Sequence, residues 1–555
     1  VTDNRIPMHG GLLAEPIRST TRSDPTLPVT SVPSSSPASL RPSGTPGLSP
    51  VDLARSASAT LRTIGGSDVP AGIADVRITG VDLRAQNVLP GDLWAALPGS
   101  TVHGASFGRA AIDNGAAAIL TDAAGLALLA AADLPAGIPV LVHPDPRAVL
   151  GPMSSDIYGR PTERLSVIGV TGTSGKTTTS YLVEAALRAA GHRTALIGTV
   201  ETRIDGQVFP SAFTTPEAPH LHALFARMVE QGVESVVMEV SSHALALFRA
   251  DGTIFAAAGF TNLSQDHLDF HHSFEDYFAA KARLFDPVSA VHARSAVVCV
   301  DDRWGRRMAD LAGGAVTVST TGDDADWWVR DARVDDAGVQ SFGVHGPDGY
   351  TATGSVGIPG RFNVANALTA LALVDAVGVD RAVALDAIAR VRVPGRLERI
   401  DAGQDFLAVV DYAHKPAAIE SVLGALRQQG SGRLAIVVGA GGDRDREKRP
   451  LMGAASAAVA DLVVVTDDNP RSEEPAAIRT AVLAGAHSVG GDAEIREIGS
   501  RREAIQAAID WARSGDIVLI AGKGHETGQK VGDTVYPFDD RTVVAEALEL
   551  RREHA

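Results

Sequence analysis

The chain has 555 residues, 45% of them hydrophobic and 21% charged, with a formal net charge of −16 at pH 7. That length predicts three or so domains, and the acidic balance disfavours nonspecific nucleic-acid binding and requires local basic groups wherever a polyphosphate is bound. A single cysteine, Cys299, excludes a disulfide framework within the chain and fits a reducing cytoplasm.

No apolar run is long enough to span a bilayer, and no signal peptide or fixed-period repeat is read. Residues 1–65 are rich in Pro, Ser, Thr and Arg, with Pro28, Pro33, Pro37, Pro42, Pro46 and Pro50 at short intervals. Such a stretch buries too little to offset its ordering entropy, so a mostly disordered tail is expected, with a short helix within 51–64. Residues 66–160 read as a small α/β domain. Its strands are expected at 76–78, between the turns of 91–99, at 117–120 and at 139–142, with a helix at 105–114 and a link at 154–160.

Residues 161–392 alternate strand and helix, with apolar strand runs at 165–170, 235–240, 256–260, 296–300 and 315–318. Alternation of this kind predicts a mainly parallel sheet with ligands at the carboxyl ends of its strands. Residues 335–355 alternate with turn signals and predict an antiparallel meander. Residues 393–555 form a second, doubly wound α/β unit, with strands at 407–411, 434–438, 462–466 and 517–521 that each run into a polar turn.

The densest signal is Val170-Thr171-Gly172-Thr173-Ser174-Gly175-Lys176-Thr177-Thr178-Thr179, set between a strand run and a helical run. Strand, glycine loop and helix in that order make a phosphate cradle of backbone N–H groups and a helix N-terminus. Lys176 is placed to reach terminal phosphates and Thr177 to put a hydroxyl on Mg²⁺. Val170 stands where the usual loop pattern has its first glycine. Glu239 ends a strand and offers a hard-metal carboxylate. His267 is either a ligand or a structural polar residue, and Lys281 on its own reads as an exposed helix lysine.

The runs Gly-Thr-Ser-Gly-Lys-Thr-Thr from 172, Met-Glu-Val-Ser-Ser-His from 238, Asn-Leu-Ser-Gln-Asp-His-Leu-Asp from 262 and Asp-Asn-Pro-Arg from 468 together resemble the Mur ligase family. The resemblance runs from about residue 75 to the C-terminus and is to the members that form the UDP-MurNAc-tripeptide of peptidoglycan. It implies three domains: 66–160 binding UDP-MurNAc, a central ATP-binding domain of 161–392, and a Rossmann-like domain of 393–555 for the amino acid. The chemistry it implies is ATP-dependent, with an acyl phosphate on UDP-MurNAc-L-Ala-D-Glu that an incoming amine attacks. Positioning and charge neutralisation dominate such phosphoryl transfer.

Carried over by residue, the resemblance puts ATP on Gly172, Thr173, Ser174, Gly175, Lys176, Thr177, Thr178, Asn363 and Arg396. Mg²⁺ falls to Thr177, Glu239, His267 and Lys281, the last as a lysine carbamylated by CO₂. The UDP-MurNAc-dipeptide falls to Leu83, Ala85, Ser100, Thr101, Val102, Thr214, Thr215, Ser241 and Arg249. Asp411 and His414 face the same cleft. Ala85 replaces the serine that usually contacts the uridine diphosphate, and Leu247 replaces a glutamine found in some members.

The amino acid is expected on Arg444, Asp468, Asn469, Pro470, Arg471, Gly522 and Glu526, from three strand-end turns. Two guanidinium groups suit carboxylates and Glu526 suits an ammonium, a set that matches meso-diaminopimelate better than L-lysine. The alternatives are a lysine-adding ligase, a folylpolyglutamate synthase-like ligase, and a nucleotide switch that hydrolyses ATP without forming a bond. Asn363 and Arg396 flank the joint between the two larger domains, so closure on the nucleotide is expected. Other cell-wall synthesis enzymes are possible partners.

Overall fold

The computed structural model describes residues 41–65, 71–209, 213–268, 270–335 and 339–554. Three large sheets follow one another along the chain, one in each stretch read as globular, and a two-stranded hairpin, Gly528–Val531 with Thr534–Pro537, adjoins the last. The first has five strands in the order Thr60–Thr63, Pro139–Val142, Ala118–Thr121, Asp92–Ala95, Gly80–Asp82, parallel except for the first. The second has eleven, centred on Ser166–Thr171 between Phe255–Phe260 and Ser235–Glu239. Its middle is parallel, and both edges turn antiparallel. The third has six strands, with Leu407–Asp411, Ile517–Ala521, Leu434–Val438 and Leu462–Val465 side by side and parallel.

These strands read as unbroken apolar runs because helices cover both faces of a parallel sheet. Leu462, Val463, Val464 and Val465 are all fully buried. The phosphate-loop helix Lys176–Ala189 packs on the helix Arg361–Asp375, and their shared core includes Leu182, Ala186, Leu368 and Leu371. The antiparallel meander is present and starts earlier than its sequence pattern, at Trp327. No helix among the described residues is long and apolar enough to cross a membrane.

Two expectations are corrected. Residues 1–40 of the expected tail lie outside the described residues, but 41–65 are an ordered part of the first unit. The helix there is only Pro50–Ser56, capped by Ser49, and Thr60–Thr63 is a strand paired with Pro139–Val142. Arg41 reaches the buried Asp92 at 2.6 and 2.8 Å and Asp82 at 3.5 Å, and Ser43 donates to Glu230 of the central unit. Long-range charge pairing orders a segment whose local composition predicts disorder. The expected link at 154–160 is mostly the end of a helix, Pro146–Ile157. Burial of Leu150, Met153 and Ile157 outweighs the helix-weakening Pro152.

Candidate active site

The glycine loop has the geometry its sequence requires. Gly172 (φ +150) has no room for a side chain, since a Cβ would stand 1.9 Å from Thr261 Oγ1. Gly175 (φ +89) would put one 2.4 Å from Asn366 Oδ1. Thr261 and Asn262, from the end of the neighbouring strand, brace the loop by donating to the Ser174 carbonyl at 2.6 and 3.1 Å. Lys176 curls back over it, donating to the carbonyls of Gly172 (2.8 Å) and Thr173 (3.2 Å). Burial, and then the neighbouring Lys415, lower its pKa to about 8.

Thr177 donates to Glu239 Oε1 at 3.0 Å. Glu239 is 1% exposed and has no ion-pair partner among the described residues. Its carboxylate is satisfied by neutral donors: Thr177, the Thr199 N–H on Oε1 at 2.8 Å and the Thr199 hydroxyl on Oε2 at 3.0 Å. A buried carboxylate held only by neutral donors, beside a phosphate loop, fits a hard cation. Among the described residues no three His, Cys, Asp or Glu side chains form a metal cluster. Mg²⁺ there would rely on Thr177, Glu239, phosphate and water, as hard cations in phosphate sites commonly do.

His267 adjoins the glycine loop, and Lys281 reaches it. His267 (φ 54) is exposed, pairs with Asp266 at 2.9 Å and meets the ring of His243 edge-on. Lys281 is not an exposed lysine: it is 1% exposed, donates to the Gly172 carbonyl at 3.0 Å and lies over the Tyr277 ring. Burial, with Lys176 and Lys415 adding repulsion, holds its ammonium well below the usual lysine range.

The C-terminal unit reaches this site directly. Arg396 donates to Thr177 Oγ1 at 3.1 Å and lies over the Tyr412 ring. Lys415 pairs with Asp266, whose carboxyl is held far below its usual range by the His267 hydrogen bond and Lys415 against the opposing effect of burial. Asp411 accepts from the backbone N–H groups of Leu397 and Ala413. His414 stays neutral far below the usual histidine range because it is buried beside Lys415 and Lys448. Lys176, Lys281, Arg396, Lys415 and Lys448 make a basic pocket in an acidic chain.

Thr214 and Thr215 meet the same network from the other side. Thr214 exchanges a hydrogen bond with the Thr199 hydroxyl (2.9 Å), and Thr215 donates to the Glu239 carbonyl (2.8 Å). Ser241 caps the helix Ser242–Ala246, and Arg249 pairs with Glu217 at 2.8 Å. In the first unit, Leu83 and Ala85 follow the strand Gly80–Asp82, while the exposed Ser100, Thr101 and Val102 follow its parallel neighbour Asp92–Ala95.

The third group gathers at the carboxyl ends of the C-terminal strands. Arg471 (φ 52) is pinned by its N–H on the Lys530 carbonyl and by its Nη1 on the Gly442 carbonyl at 2.6 Å. Neither Arg471 nor Arg444 has a carboxylate partner among the described residues. The two stand together, and burial plus the Arg444 charge lowers the Arg471 pKa. Asn469 donates to Glu526 Oε2 at 2.8 Å, and Asp468 lies against Gly522.

Some residues of these groups had no role assigned from sequence. Asn366, not Asn363, touches the glycine loop; Asn363 is turned onto Pro359 and Asn366. Asn366, Lys415 and Lys523 lie within three residues of Asn363, His414 and Gly522, so their proximity to those positions could have found them. Thr199 carries no local signal.

The chain thus folds as three α/β units, with basic residues of the third meeting the glycine loop of the second. Three Mur ligase family models match the chain: the family's catalytic domain over residues 77–157, its middle domain over 170–374 and its glutamate ligase domain over 395–524. A UDP-N-acetylmuramoyl-L-alanyl-D-glutamate–2,6-diaminopimelate ligase of Corynebacterium glutamicum is 54% identical over 488 residues, 86% of this chain and 94% of that protein. The protein of that name from Streptomyces coelicolor is 51% identical over 504 residues, covering 90% and 97%. A solved structure of a ligase of the same name matches with a TM-score of 0.63 at 32% identity, over 87% of this chain and 97% of that one. A MurF ligase from Thermotoga maritima in complex with ADP shares the fold, with a TM-score of 0.58 at 19% identity, over 86% and 99%. The chain belongs to the Mur ligase family.

Proposed function

We propose that this chain is the ATP-dependent ligase that joins meso-diaminopimelate to UDP-MurNAc-L-Ala-D-Glu, forming the UDP-MurNAc-tripeptide of peptidoglycan. The observation that carries the choice of amino acid is the pair Arg444 and Arg471, two neighbouring guanidinium groups without a carboxylate of their own, beside Glu526. A distal carboxylate and ammonium on one substrate would complete both charges. L-lysine would leave the guanidinium pair uncompensated, a few kcal/mol of discrimination. The names of the similar actinobacterial ligases point the same way.

In this reading the first unit, extended to residue 41, takes the uridine nucleotide, 161–392 takes ATP and 393–554 takes the amino acid. The glycine loop and Lys176 hold the β- and γ-phosphates, with Arg396 and Asn366 closing on them from two sides. Thr177 and Glu239 would hold Mg²⁺, which when bound neutralises phosphate charge. Thr214, Thr215, Ser241 and Arg249 place the D-glutamyl carboxylate beside the γ-phosphate. That carboxylate takes the phosphoryl group and ADP is left. The amine, delivered by the C-terminal unit, then attacks the carbonyl, loses a proton and expels phosphate. The direct contacts of Arg396 and Lys415 with the central unit exclude water from the acyl phosphate. Lys281, whose ammonium is disfavoured by burial, is poised to bond CO₂ through its deprotonated nitrogen with loss of a further proton, which leaves an oxygen-bearing anion beside the phosphates. The reaction belongs in the cytoplasm, and the buried Cys299 suits a reducing compartment.

The test is incubation with ATP, Mg²⁺, UDP-MurNAc-dipeptide and a panel of amino acids, read by mass spectrometry and phosphate release. Phosphate should appear only when both the dipeptide and meso-diaminopimelate are present. Equal kcat/KM for L-lysine would overturn the choice of amino acid, and rapid ATP turnover with neither substrate would overturn the ligase reading.

A further inference from the structure

Lys523 is a fully enclosed charge at the amino-acid site. It follows the strand Ile517–Ala521, and its side chain is 0% exposed. A buried ammonium is costly unless its three N–H donors are all answered. Here they meet the Gly528 carbonyl at 2.6 Å, Glu526 Oε2 at 3.0 Å and Asn469 Oδ1 at 3.2 Å. Glu526 Oε2 also accepts from Asn469 Nδ2 at 2.8 Å, and Asn469 Oδ1 from the Lys530 N–H at 2.8 Å. The Asn469 amide is therefore occupied at both ends. Oε2 of Glu526 carries two donors, whereas its Oε1 has no hydrogen bond among the described residues and the side chain is 32% exposed.

A brace could be made from apolar side chains at less cost than a buried charge. The three acceptors of Lys523 instead join the turn of Asn469 and Arg471, the turn of Glu526 and the strand that follows at Gly528. Glu526 is left with one oxygen fixed and the other presented. We infer that Lys523 is a positioning residue for amino-acid selection, which locks Glu526 so that Oε1 meets the substrate's distal ammonium. The inference rests on the proposed reading of this site as one for a diamino acid with a distal carboxylate.

A double-mutant cycle on the full chain tests it, with Lys523→Met, Glu526→Gln and the double variant. Separate kcat and KM values are measured for meso-diaminopimelate, ATP and the UDP-MurNAc-dipeptide. Lys523→Met should raise KM for diaminopimelate about 10- to 100-fold, the range for a hydrogen bond to a charged group. The KM values for ATP and the dipeptide substrate should stay as in the unmutated enzyme. The double variant should be no worse for diaminopimelate than Glu526→Gln, because Lys523 acts through Glu526. An unchanged KM in Lys523→Met, an equal loss for all three substrates, or additive losses in the double variant would overturn the inference. Should Lys523→Met fail to fold because Glu526 is stranded, the double variant leaves no unpaired charge and its comparison with Glu526→Gln decides. A lack of preference for diaminopimelate over L-lysine in the unmutated enzyme would remove the underlying reading instead, which keeps the two failures distinct.

Discussion

Lys176→Met should abolish ligation and at the same time stabilise the ligand-free protein. In the folded chain the Lys176 pKa falls from 10.5 to about 8, first through burial and then through Lys415. That is roughly 2.5 powers of ten in proton affinity, or about 3 kcal/mol at ~1.36 kcal/mol each. The side chain is only partly shielded and its two carbonyl contacts would also be lost, so a net gain of about 1–2 kcal/mol is the working figure. The sign follows from which state holds the proton. Below pH 8 Lys176 is charged in both states, and the fold bears the whole penalty. Between pH 8 and 10.5 the native state releases its proton first, so the unmutated protein gains stability as pH rises. The advantage of Lys176→Met should therefore be greatest at pH 7 and fade towards pH 10.5. Urea unfolding of both proteins across that range measures the difference, alongside turnover at saturating substrates. A Lys176→Met protein less stable than its parent at pH 7, or one that ligates at a near-normal rate, would refute this reasoning. The same logic predicts that ATP binding near pH 8 takes up a proton, visible as a buffer-dependent heat in calorimetry.

Lys281→Ala should be nearly inactive and partly rescued by short-chain carboxylic acids, and the unmutated protein should carry the mass of one CO₂ that acid removes; full activity without additive would exclude the carbamate. Arg471→Ala should lose roughly 10- to 100-fold in kcat/KM for meso-diaminopimelate while its kcat/KM for L-lysine changes little, so the ratio of the two reads the loss of the distal carboxylate contact. Arg41→Ala strips the two buried carboxylates of Asp82 and Asp92 of their guanidinium, leaving Asp82 with His220 at 3.2 Å and the Arg84 N–H at 2.9 Å. It should cost about 3 kcal/mol, with melting of the first unit ahead of the rest; unchanged thermal unfolding would show that the 41–47 segment is dispensable.

The chain order of strands, glycine loop and polar strand-end turns was legible because each rests on local chemistry. An unbroken apolar run needs both faces covered, and a glycine loop before a helix needs positive φ and room for phosphate. The motifs also marked where Lys176, Glu239 and Arg471 would stand. Sequence could not say which side chain of a motif turns towards the loop: Asn363 and Asn366 are three residues apart on one helix, and only packing puts Asn366 against Gly175. Nor could it tell that Lys281 is buried, since a helix lysine is exposed unless another element covers it; here the strand-end carbonyl of Gly172 does so, with the Tyr277 ring of the same helix beside it. Thr199 joins Glu239 to Thr214, and Arg41 orders a proline-rich segment, through partners 40, 15 and 51 residues away. Contacts over such separations leave no periodicity in the sequence, because what selects them is the free energy of burying charge in the assembled fold.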